Sequence, residues 1–158
     1  MRRHLFGLAA LAALALTHPA AAHDYRAGDI AIGHPWTRAV AAGAPTAAGY
    51  MTLRNDGSVP DRLLSASTPM ARTVELHETA LADGIMRMRP LTSGLVIPAG
   101  ETVRLEPGGI HAMLMGPSVP FARGARVPLT LRFERAGEVT VELAVEAPGA
   151  RGGDHQGH

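Results

Sequence analysis

Between residues 29 and 145 the chain alternates apolar and polar positions in short runs, and no run sustains the recurrence of an amphipathic helix. The alternation predicts strands over residues 29–33, 47–54, 62–67, 73–78, 85–89, 102–105, 112–115, 127–133 and 139–145. Turn-formers separate them: Asn55, Asp56 and Gly57; Asp83 and Gly84; the stretches 98–100 and 107–109; and Ala136 with Gly137. Strands this short and turns this frequent predict an all-β domain, a β-sandwich whose two sheets share one core. The period of two nominates Val127, Leu129, Leu131 and Phe133 as one core face and Val139, Val141, Leu143 and Val145 as another. These two runs, joined at Ala136 and Gly137, should form a hairpin.

The first residues break this pattern. Arg2 and Arg3 precede an unbroken apolar run from Leu5 to Leu16, followed by the small residues Ala20, Ala21 and Ala22. That is the layout of a secretory leader. The run falls short of the roughly 20 residues a membrane-crossing helix needs. Residues 1–22 are therefore expected to be a cleaved signal peptide, leaving no membrane span in a periplasmic protein. Residues 23–147 would form one domain, and residues 148–158, rich in glycine and polar side chains, a flexible tail with nothing to bury.

Loss of Arg2 and Arg3 with the leader brings the 15 basic residues close to balance with the 14 acidic ones. No basic stripe remains, so nucleic acid is not an expected partner. The absence of cysteine excludes disulfides, thiolate metal sites and cysteine nucleophiles. Methionine is the informative excess, because Met86, Met88, Met113 and Met115 fall in two short segments that contain or neighbour histidines.

His77, Met88, His111 and Met113 stand out by type and spacing. His111 and Met113 are two apart and project from one strand face. His77 and Met88 lie on consecutive strands joined around Asp83 and Gly84, in a hairpin expected to set them nearly opposite. Thioethers are soft, neutral donors that favour Cu(I), whereas Mg²⁺ and Ca²⁺ want oxygen and Zn²⁺ sites use histidine, cysteine or carboxylate. The competing reading makes these methionines ordinary core fillers, Met86 and Met115 above all.

The segments 74–78, 84–90 and 107–115 resemble those of the periplasmic copper chaperones of the PCu(A)C, or PCuAC, family, with the pattern H-x10-M-x21-H-x-M. The resemblance extends from about Gly33 to Val145. It implies a cupredoxin-like/immunoglobulin-like β-sandwich that binds Cu(I) through His77, Met88, His111 and Met113. It also implies delivery to a copper-accepting protein, such as cytochrome c oxidase or another copper assembly factor. Here 22 residues separate Met88 from His111, one more than the pattern, and the turns at 91–94 and 98–100 offer room for the addition. Met86 and Met88 share a strand face, so spacing leaves either as the ligand.

His155 and His158, with Asp154, could hold Cu(II) weakly in the tail, and His23 would be the first mature residue. His34 reads as structural. A monomeric, non-enzymatic carrier is the leading expectation. A blue-copper electron carrier would need a cysteine thiolate. Copper storage or resistance, and a metal-free secreted interaction domain, are the alternatives.

Overall fold

The computed structural model describes residues 25–152. The leader, His23, Asp154, His155 and His158 lie outside these residues. The described residues form eleven strands: β1 (Tyr25–Ala27), β2 (Ile30–Arg38), β3 (Thr46–Asn55), β4 (Asp61–Ser67), β5 (Ala71–Ala82), β6 (Ile85–Pro90), β7 (Leu95–Ile97), β8 (Thr102–Leu105), β9 (Ile110–Pro117), β10 (Arg126–Phe133) and β11 (Gly137–Glu146). Hydrogen bonding links them in the order β6-β5-β9-β8-β3-β2-β11-β10-β4-β7, with β1 added to β2 and β9 also pairing β3. The all-β expectation holds. Among the described residues no helix is long and apolar enough to cross a membrane.

The sheet folds over on itself around one core. A Cβ on Gly49 of β3 would meet Leu143 Cδ1 of β11 at 3.3 Å, so the two layers pack closely at this residue without a side chain. Leu76, Ala112, Leu114, Met51 and Leu53 from one layer meet Leu63, Val127, Leu129, Leu131, Phe133, Val141 and Leu143 from the other. The two nominated core faces are thus inside, with Val139 packed at the margin. Phe133 pairs with Gly137 in the expected hairpin.

Two strands were not foreseen. β1 and β7 are three residues each, too short to display a period. β2 also runs further than the alternation suggests. Its register against β3 shifts between Gly33 and Trp36, where His34 adopts a φ of 48° and Pro35 has no N–H to give. Beyond this bulge, Trp36, Thr37 and Arg38 pair in parallel with β11 and join the layers.

Residues 148–152, expected to belong to a free tail, are docked on the sheet. Ala150 is buried against Trp36 and Tyr50, and the Arg38 guanidinium donates to the Ala150 carbonyl at 2.8 Å. A small side chain and a backbone acceptor therefore dock residues 148–152 on the sheet, a contact that composition conceals.

A buried carboxylate locks the opposite end. Asp61 accepts backbone N–H bonds from Arg62 (2.7 Å), Arg135 (2.9 Å) and Ala136 (2.9 Å), tying β4 to the β10–β11 turn. Asp61→Ala should cost about 2–4 kcal/mol, because three donors lose one acceptor in a buried setting. Urea denaturation would measure this, and a loss below about 0.5 kcal/mol would mean that water replaces the carboxylate.

Candidate metal centre

The pairing of β5 with β9 builds the site. In this antiparallel ladder His77 lies opposite His111, Leu76 opposite Ala112 and Glu75 opposite Met113. Residues opposite one another share a face. Leu76 and Ala112 belong to the core, so Glu75, His77, His111 and Met113 all project from the outer face. The imidazole centroids are 5.9 Å apart, edge to face at 65°.

β6 adds the fourth side chain. Asp83 and Gly84, with φ of 51° and 75°, make the two-residue turn that favours a tight hairpin. Ala82 therefore pairs with Ile85, Thr79 with Met88 and His77 with Pro90. Met88 is one pleat away from the place opposite His77 that the sequence suggested, although on the same face. Met86, opposite Leu81, is one pleat further out. Neither Met86 nor Met115 is core: Met86 is exposed, and Met115 shares the outer face of Met113, opposite Thr46 and Thr73.

The extra residue between Met88 and His111 does not disturb this geometry. After β6 the chain leaves for the other layer, where β7 pairs β4, and returns through β8. Both β6 and β9 take their register directly from β5.

The hydrogen bonds assign the imidazole tautomers. His77 Nε2–H donates to Glu75 Oε2 at 2.7 Å, and Nδ1 is left buried with no partner among the described residues. His111 Nδ1–H donates to the Gly109 carbonyl at 3.1 Å, which leaves Nε2 with the lone pair. Burial holds the proton affinity of His111 below the usual histidine range; the Gly109 carbonyl opposes this shift and nearby His77 reinforces it. A buried acceptor without a donor is costly, and a cation between the rings would satisfy it. Among the described residues no group of three His, Cys, Asp or Glu side chains is placed to hold a metal ion.

Exposure divides the four residues. His111 is 5% exposed and the His77 side chain 14%, against 51% for Met88. On the other flank Ala48, opposite Met113, packs against the Trp36–Tyr50 cluster, whose ring centroids are 4.6 Å apart. Glu75 and the Gly109 carbonyl, which orient the two rings, were missed by sequence reasoning. Glu75 had a signal, since it precedes His77 by two and shares its strand face.

Fold and site together define a cupredoxin-like β domain with a thiolate-free cluster of histidine and methionine on its outer face. A family model described as "Putative lipoprotein LpqE-like" matches residues 30–145. A putative lipoprotein of Leifsonia xyli subsp. xyli is 34% identical over 121 residues, covering 77% of this chain and 72% of its own. Among solved structures, the copper-bound PCuAC domain from PmoF2 is 35% identical, with a TM-score of 0.67 over 78% of this chain and 97% of that one. The solution structure of CuI-DR1885 from Deinococcus radiodurans is 32% identical, with a TM-score of 0.60 over 75% and 78%. The chain belongs to the PCuAC family, in its LpqE-like group.

The lowered proton affinity of His111 makes folding pH-dependent. Its folded pKa lies below the unfolded value of about 6.5, so between the two values the unfolded chain holds more protons. The contribution to stability is complete above about 6.5 and is lost as pH falls through the folded value. Metal-free protein should therefore lose stability from pH 7.5 to pH 5, and His111→Leu should lose less. Parallel urea profiles for the two would remove His111 from the account.

Proposed function

We propose that this protein is a copper carrier that holds one Cu(I) through His77 Nδ1, His111 Nε2 and the sulfurs of Met88 and Met113, and passes it to a copper-accepting protein. The observation that carries this reading is the buried, unpartnered Nδ1 of His77 opposite His111, with Met88 and Met113 on the same sheet face. Four neutral donors leave the bound site with only the charge of the ion, which suits a monovalent soft cation. The copper-bound domain from PmoF2 and the Cu(I) form of the Deinococcus radiodurans protein support copper as the cargo.

Register favours Met88 over Met86 as the resting ligand, because Met88 is the nearer to His77 by one pleat. The exposed Met88 favours delivery over storage, since an acceptor's donor can approach copper from that side. The carrier works as a monomer in the periplasm after removal of residues 1–22, without catalysing a reaction. Its acceptor is cytochrome c oxidase or another copper assembly factor. Asp154, His155 and His158 provide a separate, weaker site for Cu(II), whose harder character suits nitrogen and oxygen donors.

Titration under reducing conditions should give one tight Cu(I) per chain and poor Zn²⁺ binding, and Met113→Ala should weaken Cu(I) binding without unfolding the domain. A preference for Zn²⁺, or no Cu(I) binding, would favour the metal-free interaction domain. Glu75→Ala frees the His77 ring and should lower Cu(I) affinity by about tenfold, as loss of an orienting carboxylate does at other metal sites. An unchanged affinity in a competition assay would show that the Glu75 hydrogen bond is dispensable.

A further inference from the structure

The β5–β6 hairpin projects past the core with both faces open, and the two faces differ. One carries Glu78, Arg87 and Arg89, with Arg89 Nε donating to Glu78 Oε2 at 2.9 Å. The other, continuous with the histidine pair, carries Leu81, Met86 and Met88, all exposed. Met86 is 57% exposed and has no core to fill, so packing does not account for its presence. Along β6 the residues on this face run from Pro90, opposite His77, through Met88 to Met86 near the turn. Two sulfurs thus form a row leading outward from the buried imidazoles. Consecutive same-face positions are about 6.6 Å apart, within reach of two methionine side chains with three rotatable bonds each.

We propose that Met86 is a transfer ligand for Cu(I): a second thioether that receives the ion from the resting site as it moves toward an acceptor. The inference rests on the copper-carrying reading above. In the step, the bond from copper to the Met88 sulfur breaks as a bond to the Met86 sulfur forms. Copper remains Cu(I), and no proton moves because both donors are neutral. The acceptor's donor then bonds to copper as the bond to the Met86 sulfur breaks. A thioether suits this task because it binds Cu(I) without adding charge and stays available at any physiological pH.

The test compares the full-length protein with its Met86→Leu and Met88→Leu variants, since leucine keeps apolar volume and removes the sulfur. Equilibrium Cu(I) affinity is read first, by competition with bicinchoninate under reducing conditions. The rate at which excess bicinchoninate strips the loaded protein is read second. Met86→Leu should keep affinity within about twofold of the parent and slow stripping by about tenfold, whereas Met88→Leu should lower affinity itself. A stripping rate equal to the parent's overturns the transfer role while leaving the carrier intact. Affinity lost as severely in Met86→Leu as in Met88→Leu makes Met86 a resting ligand and also overturns it. A parent that binds no Cu(I) fails at the first reading and removes the carrier and this inference together.

Discussion

The register of β5 against β9 is the constraint on which the rest depends. Leu76 opposite Ala112 turns one face of the ladder into the core, and the same register puts His77 opposite His111 on the other. A slip of one residue would bury the imidazoles among leucines and expose the leucines to water. Burial of the even-numbered residues is therefore also what aligns the candidate ligands. The apolar core thus decides which side chains share the outer face, while the Gly109 carbonyl in the preceding turn orients the His111 ring.

Placing donors on strands has a further consequence. β5 lies between β6 and β9, so each side chain of the cluster is referenced to one strand. The long excursion through β7 and β8 can change length without moving a donor. That tolerance explains why a departure of one residue from the family spacing leaves the geometry intact, whereas a change between His77 and Met88 would shift the hairpin register directly. The Trp36–Tyr50 cluster, capped by Ala150, closes the other flank beside Met113.

Much of this was legible in the sequence. The two-residue period identified the inner faces of β10 and β11, and His111 with Met113 already implied a shared strand face. The Met88 offset was also recoverable: the Asp83–Gly84 turn, counted back residue by residue, pairs Thr79 with Met88. Ending β5 at residue 78 instead of Ala82 obscured it, because exposed hairpin residues lack the burial that sharpens alternation. Asp61, the Arg38–Ala150 contact and the Gly109 carbonyl were beyond reach. Each joins segments distant in sequence or uses a backbone atom, and neither leaves a mark in residue type.

The cluster separates two demands that oppose each other in a carrier. Tight holding needs preorganised donors whose lone pairs have no competing partner, and in the proposed site His77 and His111 would supply this, each ring oriented by its other nitrogen. Release needs a coordination position that an acceptor can enter before the ion is free, and a fully enclosed site would forbid it. Exposed sulfur on an edge hairpin meets that second demand. A thiolate could do the same work, but it risks disulfide formation in an oxidising compartment, a reaction closed to a thioether. For the proposed carrier, methionine in place of cysteine meets one chemical requirement: to bind a soft ion where thiols do not persist, and still let it go.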